Sequence, residues 1–422
     1  MTVEEKSWIL YDVANSAFVL IVITTVMPIF FKDVAARGIE ASVSTAHWGF
    51  ANSLAALGVA IMAPLLGALA DYRGRKKTFL VLFLGLGVLA TLLLALVGEG
   101  RWLQCLALYG LARIGFSGTL LFYDAFLVDV TPKNRMDWVS ACGYAWGYVG
   151  GTAPFVVVVV LIALASPAGG SASIPPWAAK TGFVIAALWW LLFSVPLLKN
   201  VRQKHYLPAS SHPLRDGLAE LAATFRKIRT HRNAFIFLVA YFFYIDGVDT
   251  IITMASAFGR DIGLGVNALI PAFLMTQLVA FPFALLYGRL AARFSTRSML
   301  YAGIAVYAGI TLIGYFLPAM PTLKAKVVLF WLLAFLVATS MGGIQALSRS
   351  FFGRLIPARH AAEFFGFYNI FGKFAAIMGP FLMGLIGRLT GETRYGILAV
   401  LLLFAIGAAM LARVDPEAGR AA

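Results

Sequence analysis

The stretch "FLVLFLGLGVLATLLLALVG", residues 79–98, contains 20 residues and no charged side chain. As an α-helix it would extend roughly 30 Å, which is the thickness of the hydrocarbon core of a bilayer. A second apolar run, "YGILAVLLLFAIGAAMLA", occupies residues 395–412. Runs of this length and hydrophobicity predict helices that span a membrane.

The composition extends this prediction to the whole chain. Of its 422 residues, 61% are hydrophobic and only 13% are charged, and the mean hydropathy is +0.85. Soluble domains have about 45–50% apolar and about 25% charged residues, so the chain is predicted to be an all-α polytopic membrane protein. We expect twelve transmembrane helices and no separate soluble domain. The spans are predicted near residues 8–31, 47–69, 78–98, 102–129, 137–165, 179–198, 234–258, 266–288, 298–317, 325–347, 363–387 and 395–413.

Motifs for cofactors and catalysis are missing from the sequence. Cys105 and Cys142 lie in apolar context without metal-ligand spacing, and no His-Glu-x-x-His motif or phosphate-binding glycine loop occurs. We therefore expect no metal, no cofactor and no enzymatic activity. The N-terminus, "MTVEEKSW", lacks the basic region of a signal peptide, so the first span is expected to remain in the protein.

The positive charge is distributed unevenly between the two sides of the predicted membrane. Of the net +15, the termini and the loops that follow even-numbered spans carry +15, the opposite loops +2 and the spans −2. The positive-inside rule then places both termini in the cytoplasm. The compact loops and short tails favour a plasma (inner) membrane location over a vacuole. The same distribution argues against a nucleic-acid partner.

The longest loop divides the chain into two sets of six spans. Residues 1–198 form the predicted N-terminal half, 199–233 a basic cytoplasmic linker and 234–422 the C-terminal half. Within the linker, Leu214, Leu218, Leu221 and Phe225 have helical spacing, which predicts a short amphipathic helix on the membrane surface.

Similar segments recur in the two halves. "GALADYRGRKK" (67–77) and "GRLAARFSTRS" (288–298) share Gly-x-Leu-Ala before a basic cluster, but Ala292 replaces the acid in the second copy. Spans 5 and 11 both contain glycine-rich stretches that end in Pro-Phe, at Pro154 and Pro380. Parallel repeats of six helices are typical of secondary transporters.

Polar residues concentrate in every third span. Apart from Lys180 and Arg413 at the span ends, spans 3, 6, 9 and 12 contain no Asp, Glu, Lys, Arg, Asn or Gln, whereas spans 1, 4, 7 and 10 contain several. This pattern predicts that helices 1, 4, 7 and 10 surround a central cavity, although span 5 also lacks these residues after Asp137 at its first position. Including a lysine of span 11, the candidate substrate or proton ligands are Asp12, Asn15, Arg113, Asp246, Asp249, Gln345 and Lys373.

"GALADYRGRKK" resembles the loop 2–3 signature of the major facilitator superfamily, and "LARIGFSG" around Arg113 is similar to its span-4 arginine motif. "WILYDVANSAF", "GGIQALSRSFFGRLIP" and "EFFGFYNIFGKFAAIMGP" resemble the vacuole-effluxer branch, which contains autophagy-related amino-acid exporters. The resemblance implies a conformational latch between helices 2 and 11, on one side only because Ala292 replaces the acid. The latch residues would be Gly67, Asp71, Arg73, Gly74, Arg75 and Lys76.

Asp246 and Asp249 lie three residues apart and therefore share one face of span 7. They are predicted to bind a substrate amine or a proton, and Gly247 between them would let the helix bend or open its backbone to a ligand. The alternative is a structural acid pair neutralised by Lys373 or Arg113.

Each remaining candidate also has a functional and a structural interpretation. Lys373 and Arg113 would bind a substrate carboxylate or neutralise a nearby acid. Asp12 and Asn15 would line the wet interior, or Asp12 would serve the entry turn of its helix. Gln345 would be a cavity ligand or a helix-packing residue.

Acids on spans 1 and 7 and bases on spans 4 and 11 complement a zwitterion. The sequence thus predicts a monomeric, proton-linked secondary transporter in the lipid bilayer, moving an amino acid or a similar small solute by alternating access. A carrier of sugars or organic cations and a lipid translocator on the same fold are the alternatives.

Overall fold

The computed structural model describes residues 1–165, 174–208, 231–261, 263–264, 266–390 and 393–415. Twelve long helices occupy this part of the chain. In order they are α1 (Val3–Ala35), α2 (Ala41–Ala70), α3 (Arg75–Leu94), α4 (Trp102–Val130), α5 (Met136–Ala165), α6 (Pro176–Asn200), α7 (Arg232–Asp261), α8 (Val266–Phe294), α9 (Thr296–Phe316), α10 (Leu323–Leu355), α11 (Ala361–Thr390) and α12 (Thr393–Leu411). The amphipathic helix predicted in the linker lies outside the described residues.

Within the described residues, eleven of these helices, all except α11, are long and apolar enough to cross a membrane. The all-helical membrane architecture predicted from the sequence is therefore confirmed. Several helices are longer than the predicted spans, because backbone hydrogen bonding continues past the hydrophobic stretch. For example, α1 begins at Val3, where the hydroxyl of Thr2 and the carboxylate of Glu5 form a capping box. α1 also contains two π-helical segments, Val19–Thr25 and Phe31–Ala35, which hydropathy alone does not indicate.

Contacts group the chain into two compact units that differ slightly from the predicted halves. Unit 1 contains residues 1–130, 146–218 and 359–366, and unit 2 contains 131–145, 219–358 and 367–422. The first residues of α5 thus pack within unit 2, and the first residues of α11 pack within unit 1.

The internal repeat extends to helix packing. In unit 1, α1 packs on α6, α2 on α4, α3 on α4 and α3 on α6. In unit 2, the same four pairings recur as α7 on α12, α8 on α10, α9 on α10 and α9 on α12. Each unit is built on one six-helix plan.

Large aromatic side chains fill the core of unit 1. Trp8 stacks on Tyr123 at 4.5 Å between ring centroids, and Tyr11 lies 4.7 Å from the same ring. Two indole N–H groups are satisfied here, that of Trp8 by the carbonyl of Tyr123 (2.9 Å) and that of Trp190 by the hydroxyl of Tyr11 (3.3 Å). Rings with satisfied polar ends fix α1, α4 and α6 against each other and set the position of Asp12.

Candidate functional site

The acid pair of α7 lies inside unit 2. Asp246 is fully buried and Asp249 is half-buried. One carboxylate oxygen of Asp246, Oδ1, accepts a hydrogen bond from the backbone N–H of Gly379 at 2.8 Å and from the hydroxyl of Thr250 at 3.5 Å. The other oxygen, Oδ2, has no hydrogen-bond partner among the described residues. A buried carboxylate with one free oxygen is able to accept a proton or a cationic group.

The absence of a side chain at Gly379 lets α11 approach this carboxylate closely. A Cβ atom at Gly379 would lie 1.9 Å from Oγ1 of Thr250 and 2.8 Å from Oδ1 of Asp246, so a larger residue does not fit. The next residue, Pro380, has no N–H to continue the helical ladder of α11. Pro380 is recognisable in the sequence through the repeat, but Gly379 is not, because a backbone donor has no side-chain signature.

Gly247, predicted to let α7 bend or to open its backbone to a ligand, lies within a continuous helix. The helix continues without a break from Arg232 to Asp261. A Cβ at Gly247 would lie 2.6 Å from the ring of Phe404, so this glycine allows α12 to approach closely.

The other candidates of unit 2 lie on α10 and α11. Gln345 is half-buried in α10, near Gly343, where a Cβ would lie 2.1 Å from the ring of Tyr287. This part of α10 therefore packs tightly against α8. Lys373 belongs to α11, but its side chain lies outside the described residues.

In unit 1, Asp12 has a structural partner. Its Oδ2 accepts a hydrogen bond from the hydroxyl of Tyr123 at 2.7 Å, and its carbonyl accepts one from the hydroxyl of Ser16. α5 crosses this face of α1 at Gly151, where a Cβ would lie 2.7 Å from Cβ of Ser16. The polar face of α1 thus serves packing at Asp12 and Ser16. Asn15 differs, because its buried Nδ2 has no hydrogen-bond partner among the described residues.

Arg113 is half-buried in the middle of α4. It has neither a hydrogen bond nor a salt bridge to another described residue. Its unit also contains Asp12 and Asn15, whereas Asp246, Asp249, Gln345 and Lys373 belong to unit 2.

The predicted latch residues surround the end of α2. Asp71 is fully buried, and its two oxygens accept the backbone N–H groups of Ala362 and Glu363, each at 2.9 Å. These donors belong to the first turn of α11, where free N–H groups favour an anion. Gly67 makes the approach possible, since a Cβ there would lie 2.3 Å from the carbonyl oxygen of Ala362.

The basic latch residues contact other parts of unit 1. Lys76 forms a fully buried salt bridge to Asp129 at 2.8 Å, and Asp129 also accepts the backbone N–H of His205. The guanidinium of Arg73 lies over the ring of Tyr206. These contacts fasten the first residues of the linker to the α2–α3 connection. Between them, Gly74 adopts φ = 76° before α3 begins at Arg75.

A further carboxylate, which is not among the candidates predicted from the sequence, organises unit 2. Asp137, in the first turn of α5, accepts hydrogen bonds from the hydroxyls of Thr296 and Ser350 and from the guanidinium of Arg354 (2.6 Å). The sequence could have indicated Asp137 as a candidate, because it is an acid at a helix start that follows a basic loop.

The chain is similar to known membrane transporters over nearly its whole length. The family model described as vacuole effluxer Atg22 like matches residues 39–422. The MFS-type transporter YxiO of Bacillus subtilis is 46% identical over 417 residues, covering 99% of this chain and 96% of YxiO. Autophagy-related protein 22 of Saccharomyces cerevisiae (strain ATCC 204508 / S288c) is 22% identical over 505 residues, covering 98% of this chain and 92% of that protein.

Solved structures show the same fold. The Escherichia coli fucose:proton symporter FucP matches with a TM-score of 0.73 and 14% identity, covering 98% of both chains. The proton:xylose symporter XylE matches with a TM-score of 0.72 and 12% identity, covering 99% of this chain and 95% of XylE. The chain therefore belongs to the Atg22-like vacuole effluxer family and is a multi-pass transporter with the major facilitator fold.

Proposed function

We propose that this transporter is a secondary active carrier that moves an amino acid or a similar small zwitterion by alternating access, coupled to protons. The observation that supports this proposal best is the free Oδ2 of Asp246. An ionised carboxylate inside a membrane protein is costly without a partner, so Asp246 is expected to bind a proton or a substrate ammonium group. Asp249, one helical turn away, adds a like charge that strengthens the preference for a positive ligand.

In this proposal, Asp71 acts as a conformational latch. Its two oxygens bind backbone N–H groups at the start of α11, so the contact does not require a particular side chain on α11. Hydrogen bonds to backbone N–H groups re-form in the same geometry each time the helix returns. Ala292 cannot make this contact in the second copy of the motif, so the latch would be one-sided.

Counterflow into proteoliposomes tests the substrate class. We expect radiolabelled amino acids to exchange and sugars not to exchange. An imposed pH gradient should drive amino-acid accumulation by the wild type but not by Asp246→Asn. Asp249→Asn should show a smaller loss, because Asp249 is only half-buried.

Asp33→Asn is the matched control, since Asp33 is a half-buried acid near the end of α1 and outside the acid pair. It should retain full pH-driven accumulation. Counterflow of sugars alone would exclude the zwitterion. Lipid scrambling without any solute exchange would favour a translocator. Unchanged accumulation by Asp246→Asn and by Asp249→Asn would remove both residues as proton carriers.

In this proposal, the protein lies in the plasma membrane and both of its termini are in the cytoplasm. Cys105 and Cys142 are both buried, so a single introduced cysteine can be labelled against a low background. A membrane-impermeant maleimide should label Glu99→Cys on intact cells. It should label Arg359→Cys only after the membrane is opened, and the reverse pattern would invert the topology.

A further inference from the structure

A cavity of about 610 Å³ opens within unit 2, away from the acid pair of α7. Its walls are the residues before and at the start of α5, the α8–α9 connection and the end of α10. Four cationic side chains and one acid line it: Lys133, Arg293, Arg297, Arg354 and Asp137. The lining therefore carries a net charge of +3, an excess that no other described acid of the cavity wall offsets.

The cations differ in how far their donors are already used. Arg354 is bound to Asp137 (2.6 Å), and Arg297 donates to the carbonyls of Ala412 (2.7 Å) and Val414 (3.2 Å). Arg293 is exposed, and its guanidinium makes no hydrogen bond to any described residue. It is thus available to a ligand in the cavity.

The helix ends at the cavity do not cancel this positive charge. α8 and α10 bring their C-terminal ends, but Arg293 and Arg354 lie in their last turns and compensate them. α9 begins at Thr296, where the first N–H groups have no acceptor within the helix. The preceding Ser295, at φ = 94°, turns the chain so that this helix start lines the cavity.

This cavity lacks the acid that the first copy of the repeated motif carries. The α2–α3 connection of unit 1 carries Asp71, whereas Ala292, in the last turn of α8, occupies the matching position and lines the cavity. Arginine guanidinium groups bind phosphate with paired hydrogen bonds, and basic pockets between membrane helices bind anionic headgroups. We propose that this cavity binds a phosphate group, carried either by an anionic lipid headgroup or by a soluble phosphate compound.

The size of the cavity fits such a ligand. Sites for small molecules have volumes of roughly 300–1,000 Å³. A glycerophosphate headgroup needs only part of about 610 Å³.

Binding is measured on the purified full-length transporter with three probes: short-chain phosphatidylglycerol, short-chain phosphatidylcholine and inorganic phosphate. Native mass spectrometry counts bound lipid, and thermal unfolding reports stabilisation by each probe at constant ionic strength. We expect phosphatidylglycerol to bind and stabilise, and Arg293→Gln with Lys133→Gln to weaken it roughly tenfold, as the loss of charge-assisted hydrogen bonds predicts.

Arg232→Gln is the matched control, because it removes an exposed arginine of unit 2 that does not line the cavity. It should leave binding unchanged. If inorganic phosphate stabilises with the same dependence on Arg293, the ligand is a soluble phosphate compound and the site stands. Equal binding of phosphatidylcholine, an equal loss in Arg232→Gln, or unchanged binding in the double variant would each overturn the proposal. None of these readouts depends on transport, so the site is tested separately from the transport proposal.

Discussion

Each unit contains a buried aspartate where a helix start packs against a repeated loop, but the two aspartates bind in opposite ways. In unit 1, Asp71 belongs to the loop and accepts backbone N–H groups of Ala362 and Glu363 at the start of α11. In unit 2, Asp137 belongs to the helix start, α5, and is bound by the guanidinium of Arg354 and the hydroxyl of Thr296.

The difference shows that an internal repeat preserves a crossing of helices without preserving its polar contacts. The glycines that permit the crossings match: Gly67 faces Ala362, and Gly288 faces Ala141. The charges do not match, since Ala292 replaces the acid of the loop. A contact to backbone N–H groups lacks the attraction of a charged partner, so we expect the Asp71 contact to be the weaker of the two.

The largest expected effect is at Asp137. Its bond to Arg354 is mostly buried, with side-chain exposures of 12% and 18%. Removing one member of such a pair leaves the other charge uncompensated, so Asp137→Asn should destabilise the protein by about 3–5 kcal/mol. Thermal unfolding in detergent measures this loss against the wild type.

Arg354→Gln and the double variant complete a mutant cycle. Arg354→Gln alone should cost a similar amount, and the double variant should cost less than the sum of the two. If the two losses add, the pair is not coupled, and the distinction between the units disappears.

A smaller effect is expected from methyl groups at the two glycine crossings. At Gly67 the added Cβ would meet a backbone carbonyl at 2.3 Å, whereas at Gly288 it would meet the methyl group of Ala141 at 2.6 Å. A backbone atom cannot move alone, so Gly67→Ala should cost about 1–3 kcal/mol and Gly288→Ala less.

Gly58→Ala is the control within α2, because a Cβ added at Gly58 would have no neighbouring atom within 4 Å. It should be neutral or stabilising, as alanine favours a helix over glycine. A cost for Gly58→Ala equal to that for Gly67→Ala would attribute the effect to glycine loss in general.

The sequence predicted the features that depend on hydropathy and on repeated letters. The twelve helices were predictable because their apolar side chains favour lipid over water. Asp71 and Asp246 were noticeable because a carboxylate within or beside an apolar run is costly. The partners of these acids were not predictable in the same way. The donors at Gly379, Ala362 and Glu363 are backbone N–H groups, which every non-proline residue has.

Contacts between side chains of different helices were also not predictable from the sequence. Asp12 and Asp246 look alike in sequence, as acids within apolar runs. Only the fold places the hydroxyl of Tyr123 at 2.7 Å from Asp12, while leaving Oδ2 of Asp246 without a described partner. The close contact of Gly247 with Phe404 was not predictable, because Phe404 belongs to a helix more than 150 residues later in the chain.

The smallest expected effect is a pH dependence of stability that only the unit 1 contact supplies. Burial raises the pKa of Asp71 to about 7 from 3.8, although Lys76 and the N–H groups of Glu363 and Ala362 lower it in part. The folded protein therefore holds a proton that the unfolded chain has already lost. Stability should fall as the pH rises from about 4 through 7, by on the order of 1 kcal/mol between pH 6 and 8.

Asp71→Asn should remove this slope, because the amide does not titrate. His360 lies near Asp71 and histidine is the side chain whose ordinary pKa is closest to neutral, so His360→Gln serves as the control and should retain the fall in stability. Melting curves of the three proteins at pH 6 and pH 8 decide between the residues. A slope that disappears in His360→Gln and persists in Asp71→Asn would assign the proton to the histidine. Asp71 would then remain a charged acceptor of the N–H groups of Ala362 and Glu363 over this pH range.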